Sequence, residues 1–349
     1  MPSNMINLPV HSRPTQMPDL PTQLYIEVTN YCNSLCASCP LTYNHFLPHE
    51  PKHHMSWENF RRVVDQFPQL ERVVLHGIGE PLLNKELPRF VAHLKERKAD
   101  VLFNTNAILL DQKRGDALVE AGLDELRVSL DAVTPELYAR LRGVNRLPQV
   151  IRNLKAFVAR HGGRSRPKVS LWWVAMQANL IQMPDFVRLA AHIGIGEIYL
   201  QRLVYFGDGE QIGEGATMTP EQSLHASLEE QQTRLVRECE RLAADLGVAF
   251  RASGLTTPSE SISADGQYPW QGCMRPWILM YITANGTALP CCIAPFAVQE
   301  YSQIMLGNIL EHSAGEVWNG GPYQALRSAV SSEAPAPWPC QYCGVKWSL

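Results

Sequence analysis

The stretch "LYIEVTNYCNSLCASCPLT" (residues 24–42) decides how this chain reads. "LYIEV" is apolar and β-branched enough to be a strand. Cys32, Cys36 and Cys39 follow it within eight residues. Thiolates are soft ligands that select zinc, copper(I) or iron–sulfur clusters. A structural zinc ion takes four ligands, and His45, His49, His53 and His54 stand downstream as candidates for a fourth. The C-x3-C-x2-C spacing also suits three corners of a cubane whose fourth iron has no protein ligand. At this point both metal readings stand.

Composition narrows the setting. The chain has 349 residues, 45% apolar and 19% charged, with a net charge of −3. Such a balance argues against bulk binding to nucleic acid or to an anionic membrane. No apolar run approaches transmembrane length. The Pro-rich, polar N-terminus lacks a signal-peptide pattern, so a cytoplasmic protein is expected. Of the nine cysteines, eight are Cys32, Cys36, Cys39, Cys273, Cys291, Cys292, Cys340 and Cys343; only Cys239 stands alone. In a reducing compartment such grouping points to metal or redox chemistry rather than disulfides.

From Leu24 to about Val204, strand and helix signals alternate six times. "RVVLHG", "DVLFNTN", "ELRVSLD", "KVSLWWVAM" and "EIYLQRLVYFG" are the later strands. Ser56 is a fitting N-cap for "WENFRRVVDQF", and Gly122 closes "DQKRGDALVEAG". Regular alternation implies a parallel sheet with helices outside it. The expected fold is therefore α/β: a partial (β/α)6 barrel with a small C-terminal cysteine domain. The expected domains are a flexible arm over 1–21, the barrel over 22–215, a helical linker region over 216–255 and the cysteine domain over 256–349. "TPEQSLHASLEEQQTRLVRECERLAADLG" reads as one long helix opening at Thr219 and Pro220. "WILMYITANGTALPCC" reads as a hairpin around "ANGT".

"CNSLCASCP" after a first strand resembles the signature of the radical S-adenosylmethionine (radical SAM) family. Further motifs fall in order at strand ends: "HGIGEP" (76–81), "NTNA" (104–107), "SLD" (129–131) and "AMQANL" with Asn179. The resemblance covers about Leu24 to Gly207. It implies that Cys32, Cys36 and Cys39 hold a [4Fe–4S] cluster with an open iron site, chelated by the amine and carboxylate of S-adenosyl-L-methionine. It implies cofactor contacts from Gly77, Gly79 and Glu80, from Asn104, Thr105, Ser129 and Asp131, from Arg142 on the carboxylate and from Asn179 on ribose. Reductive cleavage would give a 5′-deoxyadenosyl radical that abstracts hydrogen from carbon. One position departs from the family pattern: Ser38 stands where an aromatic residue often precedes the third cysteine.

The C-terminal region carries a second set. Cys273, Cys291, Cys340 and Cys343 are four thiolates, enough for a closed cluster or for zinc. The C-x12-G-x4-C spacing of Cys273, Gly286 and Cys291, followed by the closing C-x2-C, is similar to the SPASM and shortened "twitch" domains of radical SAM enzymes. That resemblance implies one auxiliary [4Fe–4S] cluster, with Cys292 as a spare thiol.

The functional expectation is hydrogen abstraction from a small polar substrate of sugar, aminocyclitol or nucleoside type, ending in dehydrogenation, decarboxylation or epimerisation. It makes the chain a radical SAM oxidoreductase or lyase. Gln201, Arg202 and Tyr205 at the sixth strand end are the expected catalytic residues. The expected partners are a small-molecule substrate and a reductant such as flavodoxin or ferredoxin, with no nucleic acid and no membrane. A peptide-modifying maturase is the alternative, disfavoured by the short polar stretch before the barrel. A non-enzymatic metal-binding protein is the second.

Overall fold

The strand that carries the cysteine stretch lies between two parallel neighbours. β1 (Gln23–Ile26) pairs with β2 (Arg72–Val74) on one side and with β8 (Leu279–Ile282) on the other. The computed structural model describes residues 12–43, 50–202, 229–252, 256–262, 272–296, 301–332 and 340. The remaining strands are β3 (Asp100–Thr105), β4 (Glu125–Ser129), β5 (Lys168–Ala175), β6 (Glu197–Arg202), β7 (Ala249–Ala252), β9 (Thr287–Leu289) and β10 (Gly307–Asn308). They form one sheet in the order β10-β9-β8-β1-β2-β3-β4-β5-β6-β7. Among the described residues every strand pair from β8 through β7 is parallel, and the β8–β9 and β9–β10 pairs are antiparallel.

The α/β reading holds, and the sheet extends past its sixth strand at both edges. "VAFRA" supplies β7 beside β6. The hairpin read around "ANGT" exists, with Tyr281 opposite Leu289, but its first strand also joins the barrel sheet at β1. Gly286 turns that hairpin at φ +86, a conformation that side chains rarely adopt.

The helices are α1 (Pro40–Tyr43), α2 (Trp57–Val64), α3 (Leu87–Glu96), α4 (Gln112–Glu120), α5 (Pro135–Arg142), α6 (Leu147–His161), α7 (Met183–Ile193), α8 (Glu230–Asp245), α9 (Pro258–Ile262), α10 (Arg275–Ile278), α11 (Ala314–Trp318) and α12 (Gly321–Val330). Ser56 caps α2 by accepting the Asn59 N–H at 3.1 Å, as its position predicts. The long helix expected from Thr219 appears as α8, whose N-cap is Glu229 in a capping box with Gln232. Thr219 and Pro220 lie outside the described residues. No helix among the described residues is long and apolar enough to cross a membrane.

Strand alternation sorts the side chains. Val73 and Leu75, Val101 and Phe103, Leu126 and Val128, Leu171 and Trp173, and Ile198 and Leu200 join the core beneath the helices. There Phe60 of α2 stacks on Phe90 of α3 with centroids 4.1 Å apart. Each fully buried side chain of this size contributes about 2 kcal/mol. The intervening residues face the barrel interior. Of the tryptophan pair, Trp172 is the inward one. It stacks on Tyr199 at 4.0 Å and carries the Arg127 guanidinium 4.3 Å from its ring centroid. Glu125 holds Arg127 at 2.7 and 3.3 Å.

Candidate active site

The cysteine loop is held from two sides. On one side, the C-terminus of α5 supplies two carbonyls. Leu35 N–H donates to Arg142 O at 3.0 Å, and Ala37 N–H donates to Leu141 O at 3.1 Å. Gly143 ends this helix at φ +68, and a Cβ there would lie 2.1 Å from the Leu35 carbonyl. On the other side, "GIGEP" packs against β1 and the loop. A Cβ on Gly77 would meet the Glu27 carboxylate at 2.2 Å, and one on Gly79 would meet the Thr29 carbonyl at 2.1 Å. Glycine is required here because protein backbone and a buried side chain fill the space.

A cavity of about 220 Å³ opens at these strand ends. Cys32, Cys36 and Cys39 line it together with Ser38, Gly77, Gly79 and Glu80. Asn104, Thr105, Ser129, Asp131, Arg142 and Gln201 line it as well. Twelve of the expected site positions therefore meet in one space: the three cysteines, Gly77, Gly79, Glu80, Asn104, Thr105, Ser129, Asp131, Arg142 and Gln201. Burial pushes the Cys32 thiol up to about 11 and the Cys39 thiol higher still. Metal binding at such thiols releases protons.

Several of these residues are committed to the protein. Glu80 is buried and accepts from Thr105 Oγ1 at 2.7 Å, Leu82 N–H at 3.1 Å and Asn106 N–H at 2.7 Å. It ties the end of β2 to the end of β3. Thr105 Oγ1 also accepts the Ala107 N–H at 2.9 Å. Asp131 accepts the Val174 N–H at 2.9 Å and pairs with Arg142 at 2.8 Å. Arg142 Nη1 lies 3.8 Å from Cys36 Sγ. Burial opposes the Arg142 charge, yet Asp131 and Cys36 hold its pKa above the ordinary guanidinium value.

Asn179 does not border the cavity. It is fully buried; its amide donates to Asp131 O at 2.9 Å and Val174 O at 2.8 Å, and its oxygen accepts the Met176 N–H at 2.9 Å. This geometry makes it a clamp on the strand ends, where the sequence suggested a ribose contact. Arg202 ends β6 opposite Ala175. The Arg202 side chain and Tyr205 lie outside the described residues.

The C-terminal region forms part of the same cavity. Cys292, Ile293 and Phe296 line it, so the thiol read as spare faces the site. Cys291 packs with Ile78 and Tyr281, while Cys273 and Cys340 pack against the main core. Cys273 Sγ accepts the Arg275 N–H. Cys343, like His45 and His49, lies outside the described residues. Among the described residues no three His, Cys, Asp or Glu side chains converge as ligands of one ion would. His54 instead stacks on Tyr31 with centroids 4.6 Å apart.

Sequence reasoning passed over Glu27. It is buried at the end of β1 and accepts from Ile78 N–H at 2.8 Å, Tyr281 Oη at 3.2 Å and Ala284 N–H at 3.3 Å. Burial pushes its pKa up to about 7, against the pull of these hydrogen bonds. A carboxylate inside an apolar strand run was the available signal. Asn106 was also missed; it donates to Asn33 at 2.7 Å and Ser34 at 3.2 Å in the cysteine loop.

Comparison with known proteins places this geometry. The Radical SAM superfamily profile matches residues 26–165, and the SPASM iron–sulfur cluster-binding domain matches residues 273–344. The chain is 26% identical over 330 residues to a PqqA peptide cyclase of Gluconobacter oxydans, covering 94% of this chain and 84% of that protein. It is 24% identical over 340 residues to the mycofactocin maturase MftC of Mycobacterium ulcerans, covering 93% and 81%. The crystal structure of Streptococcus suis SuiB bound to its precursor peptide SuiA superposes with a TM-score of 0.66 at 20% identity, covering 94% of this chain and 71% of that one.

These findings correct the expected sugar-, aminocyclitol- or nucleoside-type substrate and the expected small-molecule partner. Relatives that align along nearly the whole chain are named as a peptide cyclase and a maturase. The short stretch before the barrel says nothing about what the cavity accepts. The cofactors are those the sequence implied: a [4Fe–4S] cluster, an auxiliary cluster and S-adenosylmethionine. The residues fit them. Three thiols and a buried guanidinium meet at one cavity, with Gly77 and Gly79 on its border.

Proposed function

We propose, from the premise that this chain is a radical SAM enzyme with a C-terminal SPASM domain, that it modifies a peptide by hydrogen abstraction at carbon. The observation that carries the reading is alignment with the peptide cyclase along 94% of this chain, through barrel and cysteine region alike. When bound, the cluster and S-adenosylmethionine supply the carbon-centred radical. The protein's part is to hold, orient and exclude water.

In this reading Cys32, Cys36 and Cys39 hold the open cluster. The Asp131–Arg142 pair fixes a cation beside Cys36. Asn104 and Ser129 offer hydrogen bonds to the cofactor's polar groups from the cavity wall. Gly77 and Gly79 let this edge pack against Glu27 and Thr29, and both border the space for the cofactor. Glu80, Thr105 and Asn179 position these strand ends. Ile78, Ile293 and Phe296 give the cavity an apolar border that keeps water out. Cys273, Cys291, Cys340 and Cys343 hold the auxiliary cluster. An electron leaving the substrate for that cluster would make the net reaction an oxidation.

The test is anaerobic turnover of the reconstituted enzyme with dithionite, S-adenosylmethionine and synthetic versions of short peptides encoded beside its gene. One peptide should raise 5′-deoxyadenosine formation and change mass in the same mixture. Stimulation by sugars or nucleosides and by none of the peptides would overturn the reading.

A further inference from the structure

His76 lines the cavity just past the end of β2. It stands one position beyond Leu75, which packs outward with Val73 in the core, so alternation turns His76 into the barrel. It lines the same cavity as Cys32 and Cys292. It is half-buried, and among the described residues no hydrogen bond, ion pair or ring contact engages its imidazole. The inward cation near it, Arg127, is held by Glu125 and stacked on Trp172, forming a closed layer with Tyr199.

Burial, with a smaller push from the Arg127 charge, lowers the His76 pKa to about 4. The ring is neutral at physiological pH, with one N–H and one open lone pair. The ring opens on the cavity, so a bound ligand can complete its hydrogen bonds. A peptide amide does so, because it offers a carbonyl acceptor and an N–H donor.

We propose that His76 is a substrate-positioning residue that hydrogen-bonds a backbone amide of the bound peptide next to the reacting carbon. The inference rests on the peptide reading above. It separates His76 from the groups on the cofactor side of the cavity.

Two measurements on the reconstituted full-length holoenzyme test it. First, His76→Asn and His76→Phe should leave iron content and S-adenosylmethionine affinity within about twofold of wild type, while His76→Phe lowers modified peptide per 5′-deoxyadenosine about tenfold and His76→Asn retains most of it. A loss of iron or cofactor affinity in both variants with unchanged coupling would overturn the proposal. Second, diethyl pyrocarbonate labelling at saturating S-adenosylmethionine should still modify His76, read by peptide mass spectrometry. Protection by the cofactor alone would place the ring on the cofactor side and overturn the proposal. The labelling needs no peptide. If wild type turns over no peptide, the functional reading fails, and the labelling still decides which side of the cavity His76 faces.

Discussion

The two cysteine regions of this molecule are built in different ways. Cys32, Cys36 and Cys39 share one loop, held by backbone bonds to α5 and by glycines packed against β1. The C-terminal thiols are scattered: Cys273 precedes α10, Cys291 follows β9, and Cys340 packs on the main core. A local triad sits on one loop whose backbone is held before any metal arrives. A dispersed set needs distant segments to meet, so its cluster doubles as a cross-link. The first region should carry chemistry that can be lost without unfolding. The second should couple metal to structure.

The largest effect should come from Cys32→Ala. On the proposed assignment this variant should lower 5′-deoxyadenosine formation by about a thousandfold or more, since the cofactor supplies the hard chemistry. Thermal melting of the apo protein should stay close to wild type. A variant that still cleaves S-adenosylmethionine would break the assignment of the triad.

Cys273→Ala should separate the two regions in the other direction. It should cost about four of about eight irons, as expected for two cubanes. S-adenosylmethionine cleavage without peptide should persist, and susceptibility of the C-terminal region to limited proteolysis should rise. Equal loss of both clusters would show that the two regions are not independent.

Gly79→Ala tests the packing behind the triad. Its Cβ would lie 2.1 Å from the Thr29 carbonyl, with no flexible side chain to yield. The expected cost is about 3 kcal/mol in urea unfolding. A wild-type midpoint would mean that the β1–"GIGEP" contact is not tight.

Glu27 gives the smallest and most gradual effect. Its pKa is raised from 4.5 to about 7, so the folded chain keeps a proton that the unfolded chain has shed. Stability should fall as pH rises from about 5 to 7 and then level, by at most about 3 kcal/mol from this group. Glu27→Gln should flatten that slope in the melting temperature of the apo protein. An unchanged slope would assign the pH dependence elsewhere.

Much of the first region was legible because its signals are local. The strand, the cysteine spacing and the motifs at successive strand ends all lie within short windows, and the residues they named meet in one cavity. Side-chain commitments were not legible. Asn179 and Glu80 carry motif identities, but their hydrogen bonds run to backbone tens of residues away. The joining of β8 to β1 was hidden for the same reason, since a parallel pair some 250 residues apart in sequence leaves no local pattern. Cys292 shows the limit most sharply. Spacing made it the spare beside Cys291, and only the hairpin's docking at β1 turns it toward the cavity.

The most direct test of this contrast is iron and sulfide analysis, with electron paramagnetic resonance, of the anaerobically reconstituted Cys32→Ala, Cys36→Ala, Cys39→Ala triple variant. The protein should retain about four irons in one reduced cluster whose spectrum S-adenosylmethionine does not perturb, as a closed thiolate set requires. Retention of all the iron, loss of all of it, or colourless zinc-containing protein would contradict an open triad beside a separate closed cluster.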